Sequence, residues 1–253
     1  MHIALVRPPS PRMGDGLVTH LERMPVDAEL AAQQHAAYVG ALAEAGWEIR
    51  EAPAAGELPD SAFVEDTMVV CDGLAVLARP GAEERRPEVA GAEQAVRELG
   101  LQVARIEEPG TLDGGDVLQV GDTVYVGRGG RTNGEGIRQL RAHVPHRTVV
   151  PVPLGGVLHL KSAVTALPDG TIVCADPSLL DTSPLPPMRT VPEEGGAHVV
   201  LLGEGRVLMA ASAPHTAELL DDWGFDVVVV DIDQFERMEG CVTCLSVLIP
   251  YRG

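Results

Sequence analysis

Short apolar segments separated by turn residues recur along the chain in a fixed order. Pairs of such segments, joined by two to four turn residues, predict β-hairpins at 67–78, 116–127, 163–175 and 198–210. A single apolar segment at 244–249 predicts one more strand near the end of the chain. The first strands of these units begin 49, 47, 35 and 46 residues apart, which indicates a five-fold repeat of about 45 residues.

Helical patterns follow several of the hairpins, and each leads into another apolar strand. Such helices are predicted at 88–99 and 133–142 from their periodic apolar positions. A further helix is predicted to begin at Pro214 and to end at Gly224, since Pro favours a first helical turn and Gly a helix end. Most units are therefore expected to contain a hairpin, a helix and a third strand.

The two ends of the chain complement each other. The N-terminal region supplies a strand at 3–6, a helix at 29–45 and a strand at 47–51, which are the elements that the last unit lacks. Pairing of strand 244–249 with strand 3–6 would close the ring and remove both sheet edges. The predicted fold is therefore α/β, a five-bladed pseudosymmetric α/β propeller closed by pairing of the N- and C-terminal strands.

A doubly wound parallel sheet is the alternative architecture, because strands and helices alternate in that fold as well. It needs a crossover connection after almost every strand, whereas four pairs of strands here are joined by short turns. The hairpins therefore favour the propeller.

Composition restricts the classes of function. The 253 residues carry 37 acidic and 19 basic side chains, a net charge of −18, which repels nucleic acid and favours a cationic small molecule. No uncharged apolar stretch reaches the roughly 20 residues of a membrane span, and no signal-peptide pattern is present. We expect a single domain over residues 1–253, in a cytoplasmic setting because four cysteines are too few for a disulfide framework.

Polar side chains stand at equivalent positions of the repeat, at or just before the first strand of each unit. Positions related by rotation about one axis converge, so these side chains are predicted to meet at the centre. Taken singly, each is more often structural or solvated than functional, but the shared position favours a functional cluster. The set combines a thiol, imidazoles, an amine and carboxylates: Glu65, Asp66, Asp113, Asp116, His159, Lys161, His198 and Cys244.

Cys241 and Cys244 form a C-x-x-C motif with three interpretations. A redox pair normally opens an α-helix, whereas this motif leads into a strand. A zinc site needs a second close pair of ligands, and Cys71 and Cys174 lie instead in apolar hairpins. The favoured interpretation is a single nucleophilic thiol, Cys244, with Cys241 incidental.

Basic residues are scarce, which draws attention to Arg85, Arg86 and Arg131. They are compatible with helix capping or surface charge and equally with a fork that grips a carboxylate. The long loop at 8–20, rich in Pro and Gly, is typical of an active-site lid. The glycine pair before Asp116 indicates a tight backbone turn, since no GxGxxG or Walker pattern supports nucleotide binding.

Six motifs, in order along the whole chain, resemble those of the dimethylarginine dimethylaminohydrolase family. They are LPDSAFVEDT at 58–67, RPGAEERR at 79–86, TLDGGDVL at 111–118, GRGGRTN at 127–133, LHLKS at 158–162 and CVTCLSVLI at 241–249. The family belongs to the guanidino-modifying superfamily, whose pentein fold is the propeller predicted above. The resemblance implies hydrolysis of Nω-methylated arginines to citrulline and dimethylamine or methylamine, through a covalent thiouronium on cysteine.

The resemblance also implies a role for each residue that matches a family motif. The nucleophile falls on Cys244, the general acid/base on His159, and the carboxylate that orients it on Asp113. Glu65 and Asp66 fall on the pair that binds the guanidinium. The amino-acid end of the substrate is implied to lie against Asp60, Arg85, Arg131 and the backbone of Leu17.

Two positions depart from what the superfamily leads us to expect. Lys161 stands where arginine deiminases have a second guanidinium-binding Asp, which leaves room for a substituted nitrogen, and His198 stands where Asn is expected. No cofactor and no metal are implied, and the partner is a small guanidino amino acid bound by a monomer or homodimer. Two alternatives stay open: a related hydrolase or deiminase acting on arginine or another Nω-substituted arginine, and a non-catalytic module that binds cationic amino acids.

Overall fold

The computed structural model describes residues 2–250 and folds them into five three-stranded sheets with one shared pattern. In every sheet the middle strand pairs antiparallel with one neighbour and parallel with the other. The expected domain over 1–253 includes residues 1 and 251–253, which lie outside the described part of the chain. None of the helices within 2–250 combines the length and apolar character needed to cross a membrane.

Four of the sheets follow chain order, and the fifth joins the two ends of the chain. The fifth consists of β1 (His2–Val6), β2 (Glu48–Glu51) and β15 (Ser246–Pro250). The other four are β3 (Met68–Cys71), β4 (Leu74–Leu77) and β5 (Gln102–Arg105); β6 (Val117–Val120), β7 (Thr123–Arg128) and β8 (Thr148–Pro153); β9 (Val164–Ala166), β10 (Ile172–Cys174) and β11 (Met188–Thr190); and β12 (Val200–Gly203), β13 (Arg206–Ala210) and β14 (Asp226–Val230).

The ring closes at the predicted place. Strand β15 pairs antiparallel with β1, with Leu5 opposite Val247, and β1 pairs parallel with β2. The four predicted hairpins form as well, so the doubly wound alternative is wrong and the five-bladed propeller is confirmed.

Helices connect the second and third strands in four of the five units. They are α1 (Ala28–Glu44), α2 (Glu88–Glu98), α3 (Gly134–His143) and α4 (Pro214–Asp222); a short α5 (Asp233–Glu236) precedes the last strand. Asp27 caps α1 by accepting from the backbone N–H groups of Glu29 and Leu30. In the unit of β9–β11 the connection contains only a 3-10 turn, Pro177–Leu179, which accounts for its shorter sequence repeat.

A 3-10 turn precedes the first strand of every unit, and each of these strands begins one or two residues later than the sequence pattern predicts. The turns are Val64–Thr67, Gly114–Asp116, Leu160–Ser162, Glu194–Ala197 and Val242–Leu245. They carry or directly flank the polar residues that the repeat brings together. Apolar side chains also pack between sheets and helices, as Leu77 of β4 does with Val96 of α2.

Neighbouring turns pack closely enough to require glycine. A Cβ atom on Gly114 would overlap the carbonyl oxygen of Glu65 and would lie 2.7 Å from the carbonyl oxygen of Met68. Both obstacles are backbone atoms, which cannot rotate away as a side chain can. The glycine pair of the sequence thus sets the approach of two units.

We expect Gly114→Ala to lower the free energy of unfolding by about 3 kcal/mol, the upper end of the usual cost of overpacking. Gly130→Ala is the matched control, because a Cβ there meets nothing within 4 Å. Denaturant unfolding of both variants measures the effect. Equal stability of the two would contradict the packing described here.

Candidate active site

His159 lies at the centre of the polar cluster, between two carboxylates from other units. Its Nε2 is 3.0 Å from Oδ2 of Asp113, and its Nδ1 is 3.8 Å from Oδ1 of Asp66. All three side chains are almost fully buried. Each residue belongs to a different unit, in or just before its 3-10 turn.

The surroundings of His159 favour its protonated form. Burial works against the charge, but the nearby Asp66 and the hydrogen bond with Asp113 outweigh it and raise the pKa of His159 to about 9. Both ring nitrogens then carry hydrogens, and each faces a carboxylate. The geometry therefore supplies a general acid near neutral pH.

Asp66 is held as an anion. Burial opposes its charge, yet His159 and Arg85 lower the pKa of Asp66 to about 2. Its Oδ2 accepts a hydrogen bond of 2.6 Å from Nη1 of Arg85, and its Oδ1 accepts one of 2.9 Å from the backbone N–H of Gly115. The carboxylate is thus fixed on both oxygens.

Arg85 is directed inward. Besides Asp66, its guanidinium donates to the Glu88 carboxylate and to the backbone carbonyls of Asp60 and Phe63. It is 5% exposed, so these contacts determine its position. Arg85 therefore fixes the position of Asp66, which the sequence did not indicate. Contact between Arg85 and a substrate carboxylate stays a prediction.

Asp113 is positioned by two of the motifs noted in the sequence. Its Oδ1 accepts a hydrogen bond of 2.8 Å from the backbone N–H of Gly81, and its own N–H donates to the Thr132 hydroxyl over 3.1 Å. A Cβ at Gly81 would collide with the backbone of Arg131. These two motifs therefore meet behind Asp113 and aim it at His159.

Glu65 pairs with Lys161. Its Oε1 lies 2.5 Å from Nζ of Lys161, while its buried Oε2 has no hydrogen-bond partner within residues 2–250. Burial raises the pKa of Glu65, and Lys161 acts in the opposite direction. A cavity of about 1070 Å³ is lined by this pair and by residues of the first strand of every unit, but by neither His159 nor Cys244. The free oxygen is suited to a cationic ligand.

The two cysteines of the C-x-x-C motif touch each other. Their Sγ atoms are 3.3 Å apart, and the backbone N–H of Cys241 points at Sγ of Cys244 over 3.4 Å. The hydrogen bond that the Cys244 thiol donates to Cys241, burial and the charges of Glu65 and Asp66 raise the pKa of Cys244 well above its usual value. Cys241, which the sequence analysis set aside as incidental, is a direct neighbour of Cys244.

Residues expected at the amino-acid end of a substrate also come together. Both Asp60 carboxylate oxygens lie 3.1 Å from the backbone N of Leu17 in the predicted lid. Arg131 is half-buried, and its buried Nη1 has no partner in the described part of the chain. His198 instead faces the backbone, with Nε2 2.9 Å from the carbonyl of Ser162.

Asp66, Asp113 and His159 are described residues that could hold a metal ion, since their ligand atoms lie within 4.8 Å of one another. A ligating imidazole must be neutral, so a bound ion would have to displace the proton that the two carboxylates favour on His159.

Comparison with known proteins identifies relatives along nearly the whole chain, although no family model matches it. The N(G),N(G)-dimethylarginine dimethylaminohydrolase of Streptomyces coelicolor is 60% identical over 246 residues, covering 96% of this chain and 95% of that protein. The chain belongs to the dimethylarginine dimethylaminohydrolase family. The enzyme of the same name from Pseudomonas aeruginosa is 35% identical over 253 residues, covering 96% and 97%.

Solved structures of dimethylarginine dimethylaminohydrolases share the fold. One, an adduct with S-methyl-L-thiocitrulline, has a TM-score of 0.91 at 32% identity and covers 98% of this chain and 100% of its own. The Pseudomonas aeruginosa enzyme, a Cys-to-Ser variant complexed with citrulline, has a TM-score of 0.89 at 33% identity and covers 97% and 98%. The N-terminal domain of the arginine dihydrolase ArgZ matches at 0.84 with 20% identity, a likeness of fold alone.

The sequence analysis of this dimethylarginine dimethylaminohydrolase family member did not identify one residue that binds the backbone of the lid region. Glu239, two residues before Cys241, accepts hydrogen bonds on Oε1 from the backbone N–H groups of Thr19, His20 and Leu21. Burial opposes the charge, but these lid N–H groups outweigh it and lower the pKa of Glu239. Its backbone has a positive φ of 61°, which only a structure exposes. Asp60 and Glu239 thus hold the lid from two sides.

We expect Glu239→Gln to raise KM about tenfold and to change kcat less, because hydrogen bonds to a charged group contribute about 1.5–3 kcal/mol and the lid covers the amino-acid end of the site. Faster hydrogen exchange at 19–21 should accompany the change. Glu22→Gln is the control, since it removes the same charge from an exposed position two residues after the lid. Identical KM and exchange in the two variants would remove Glu239 from this role.

Proposed function

We propose that the protein hydrolyses asymmetric dimethylarginine and monomethylarginine to citrulline and dimethylamine or methylamine. The reaction uses a covalent thiouronium on Cys244, with His159 and Asp113 as its catalytic partners. The partner molecule is a small guanidino amino acid. We also propose that the protein acts in the cytoplasm as a monomer or homodimer.

One observation carries the proposal. The imidazole of His159, whose surroundings favour its protonated form, lies between two buried carboxylates in a site that also holds a buried thiol and an unpaired carboxylate oxygen on Glu65. This combination suits a guanidinium, which needs anionic groups to hold it and an acid to protonate the departing amine. The 60% identity to a dimethylarginine dimethylaminohydrolase supports the same substrate class.

The free polar atoms suggest how a methylated arginine binds. Glu65 Oε2 and the charge of Asp66 hold the guanidinium flat beside Cys244, and Arg131 Nη1 takes the α-carboxylate. Lys161 offers no acceptor for a further N–H group, because an ammonium only donates. A substituted nitrogen is therefore accommodated where a second carboxylate would favour an unsubstituted one.

The bound cation also prepares the nucleophile. At rest, Cys241, burial and the two neighbouring carboxylates keep Cys244 protonated. A guanidinium placed beside it offsets the carboxylate charges, so Cys244 loses its proton to solvent at a lower cost and becomes the thiolate. The nucleophile is therefore activated chiefly when substrate is present.

The chemistry follows in two steps. The Cys244 thiolate attacks the guanidinium carbon, a C–S bond forms, and the C–N bond to the methylated nitrogen breaks as His159 protonates it. Neutral His159 then takes a proton from water, whose oxygen attacks the thiouronium carbon. The C–S bond breaks and citrulline leaves. The remaining proton of the attacking water passes to the sulfur, which restores the Cys244 thiol.

Product analysis of a substrate panel tests this function. We expect dimethylamine and citrulline from asymmetric dimethylarginine, a lower kcat/KM with arginine, and poor use of agmatine, which offers Arg131 no carboxylate. Cys244→Ser should lose nearly all turnover but still bind substrate, because a neutral hydroxyl is a far weaker nucleophile. Cys71→Ser, a buried cysteine in a distant hairpin, is the control.

A preference for arginine with release of ammonia would move the protein to the deiminases. Binding of methylarginines without any product would instead make it a binding module. Normal turnover by Cys244→Ser would remove the thiol from the mechanism.

A further inference from the structure

The contact between Cys241 and Cys244 has no part in the proposed reaction. Their sulfur atoms are 3.3 Å apart, both thiols are reduced, and the side chains are only 6% and 8% exposed. Catalysis by a single thiol does not need a second one at this distance. The pair therefore calls for an explanation of its own.

The backbone holds the two cysteines at the spacing of a disulfide. Cys241 begins the 3-10 turn at 242–245, and the N–H of Cys244 donates to the carbonyl of Cys241 over 3.0 Å. Side chains three residues apart in such a turn eclipse one another. A closed turn brings its first and fourth Cα atoms within about 7 Å, and disulfides span about 4.4–6.8 Å between Cα atoms. The sulfurs then have to move only from 3.3 Å to the roughly 2.05 Å of a disulfide bond.

The other two cysteines lack such a neighbour. Cys71 lies in β3, where its sulfur contacts the Asp72 carboxylate, and Cys174 is buried in β10. Within residues 2–250, neither has another sulfur in hydrogen-bond contact. The chain thus contains its own comparison thiols.

The pair also has thiolate character. The hydrogen bond from Cys244, together with nearby His198 and the Thr243 hydroxyl, lowers the pKa of Cys241 while Cys244 keeps the proton. A thiolate is the form of cysteine that reacts with peroxides. Cys241 is accordingly the sulfur that reacts first.

We propose that Cys241 and Cys244 are a redox modification site, at which a peroxide closes a reversible disulfide across the turn. This use differs from a thioredoxin-like relay, because the motif opens a 3-10 turn and both sulfurs are buried.

The step balances with one peroxide. The Cys241 thiolate attacks a peroxide oxygen, the O–O bond breaks, and a sulfenic acid and hydroxide form. The Cys244 sulfur, losing its proton, attacks the sulfenic sulfur, and the S–O bond breaks to release a second hydroxide. Protons from solvent and from Cys244 convert both hydroxides to water. Two electrons have passed from the thiols to the peroxide, and an added dithiol reverses the oxidation.

Closure of the bond removes the Cys244 sulfur as a nucleophile. The loss of turnover rests on the proposed function, whereas the disulfide itself does not. The disulfide would then keep the Cys244 sulfur in a reversibly oxidised form and protect this sulfur from irreversible oxidation to sulfinic acid.

Hydrogen peroxide treatment of the purified protein tests the proposal. We expect free thiols, counted after denaturation, to fall from four to two. The tryptic peptide that begins at Met238 contains both cysteines, and it should lose two hydrogens in mass and resist alkylation until dithiothreitol is added. Turnover should fall and recover in parallel with this peptide.

Two variants serve as controls. Cys241→Ser should never form the lighter peptide, and its Cys244 should instead gain oxygen atoms that dithiothreitol does not remove. Cys71→Ser should form the disulfide as the unaltered protein does. Circular dichroism verifies that both variants are folded, and Cys241→Ala replaces Cys241→Ser if the latter is not.

Two results would overturn the proposal. One is a Met238 peptide that stays reduced while peroxide destroys turnover, and the other is a disulfide that involves Cys71 or Cys174. If the disulfide forms but the unoxidised protein turns over no methylarginine, the redox site stands and the proposed function fails.

Discussion

The candidate site depends on a buried row of alternating charges that runs from Glu88 through His159 to Asp113. Arg85 holds Asp66 at 2.6 Å and is held in turn by Glu88. Asp66 and Asp113 then hold the imidazole between them. Burial of charges costs hydration free energy, and removal of one partner costs about 3–5 kcal/mol because the other is left uncompensated. The imidazolium is therefore stable only while its neighbours stay in place.

The ring makes this row possible, since its members come from separate units of the chain. Asp66, Asp113 and His159 each lie in or beside a 3-10 turn before a first strand, and rotation about one axis brings the turns together. Glycine sets how close they come: a Cβ on Gly115 would lie 2.7 Å from both Asp66 Oδ1 and His159 Nδ1. The same turns hold Cys244 beside its neighbouring thiol, so one local geometry supplies both the proposed chemistry and its redox control.

Much of the fold was predictable because hairpins joined by short turns cannot belong to a parallel sheet, and because the ends of the chain supplied each other's missing strands. Convergence at the repeat position likewise placed Asp113 beside His159. The burial of Arg85 and its hydrogen bond to Asp66 were not predictable, since arginine is used both in exposed carboxylate-binding sites and in buried ion pairs. Glu239 and Cys241 were missed for another reason. Their contacts depend on a lid loop and a 3-10 turn, neither of which leaves a periodic pattern.

The protonation of His159 is the most direct test of this account. With isotopically labelled histidine, an NMR titration can follow its ring, and His159→Gln identifies the signal among eight histidines. We expect a pKa of about 9. Because this pKa lies above the usual value of about 6.5, protonated His159 makes its full contribution to the free energy of unfolding below about pH 6.5. That contribution is lost as the pH rises through about 9. A His159 that titrates at or below about 6.5 would contradict the charge row and the general acid built on it.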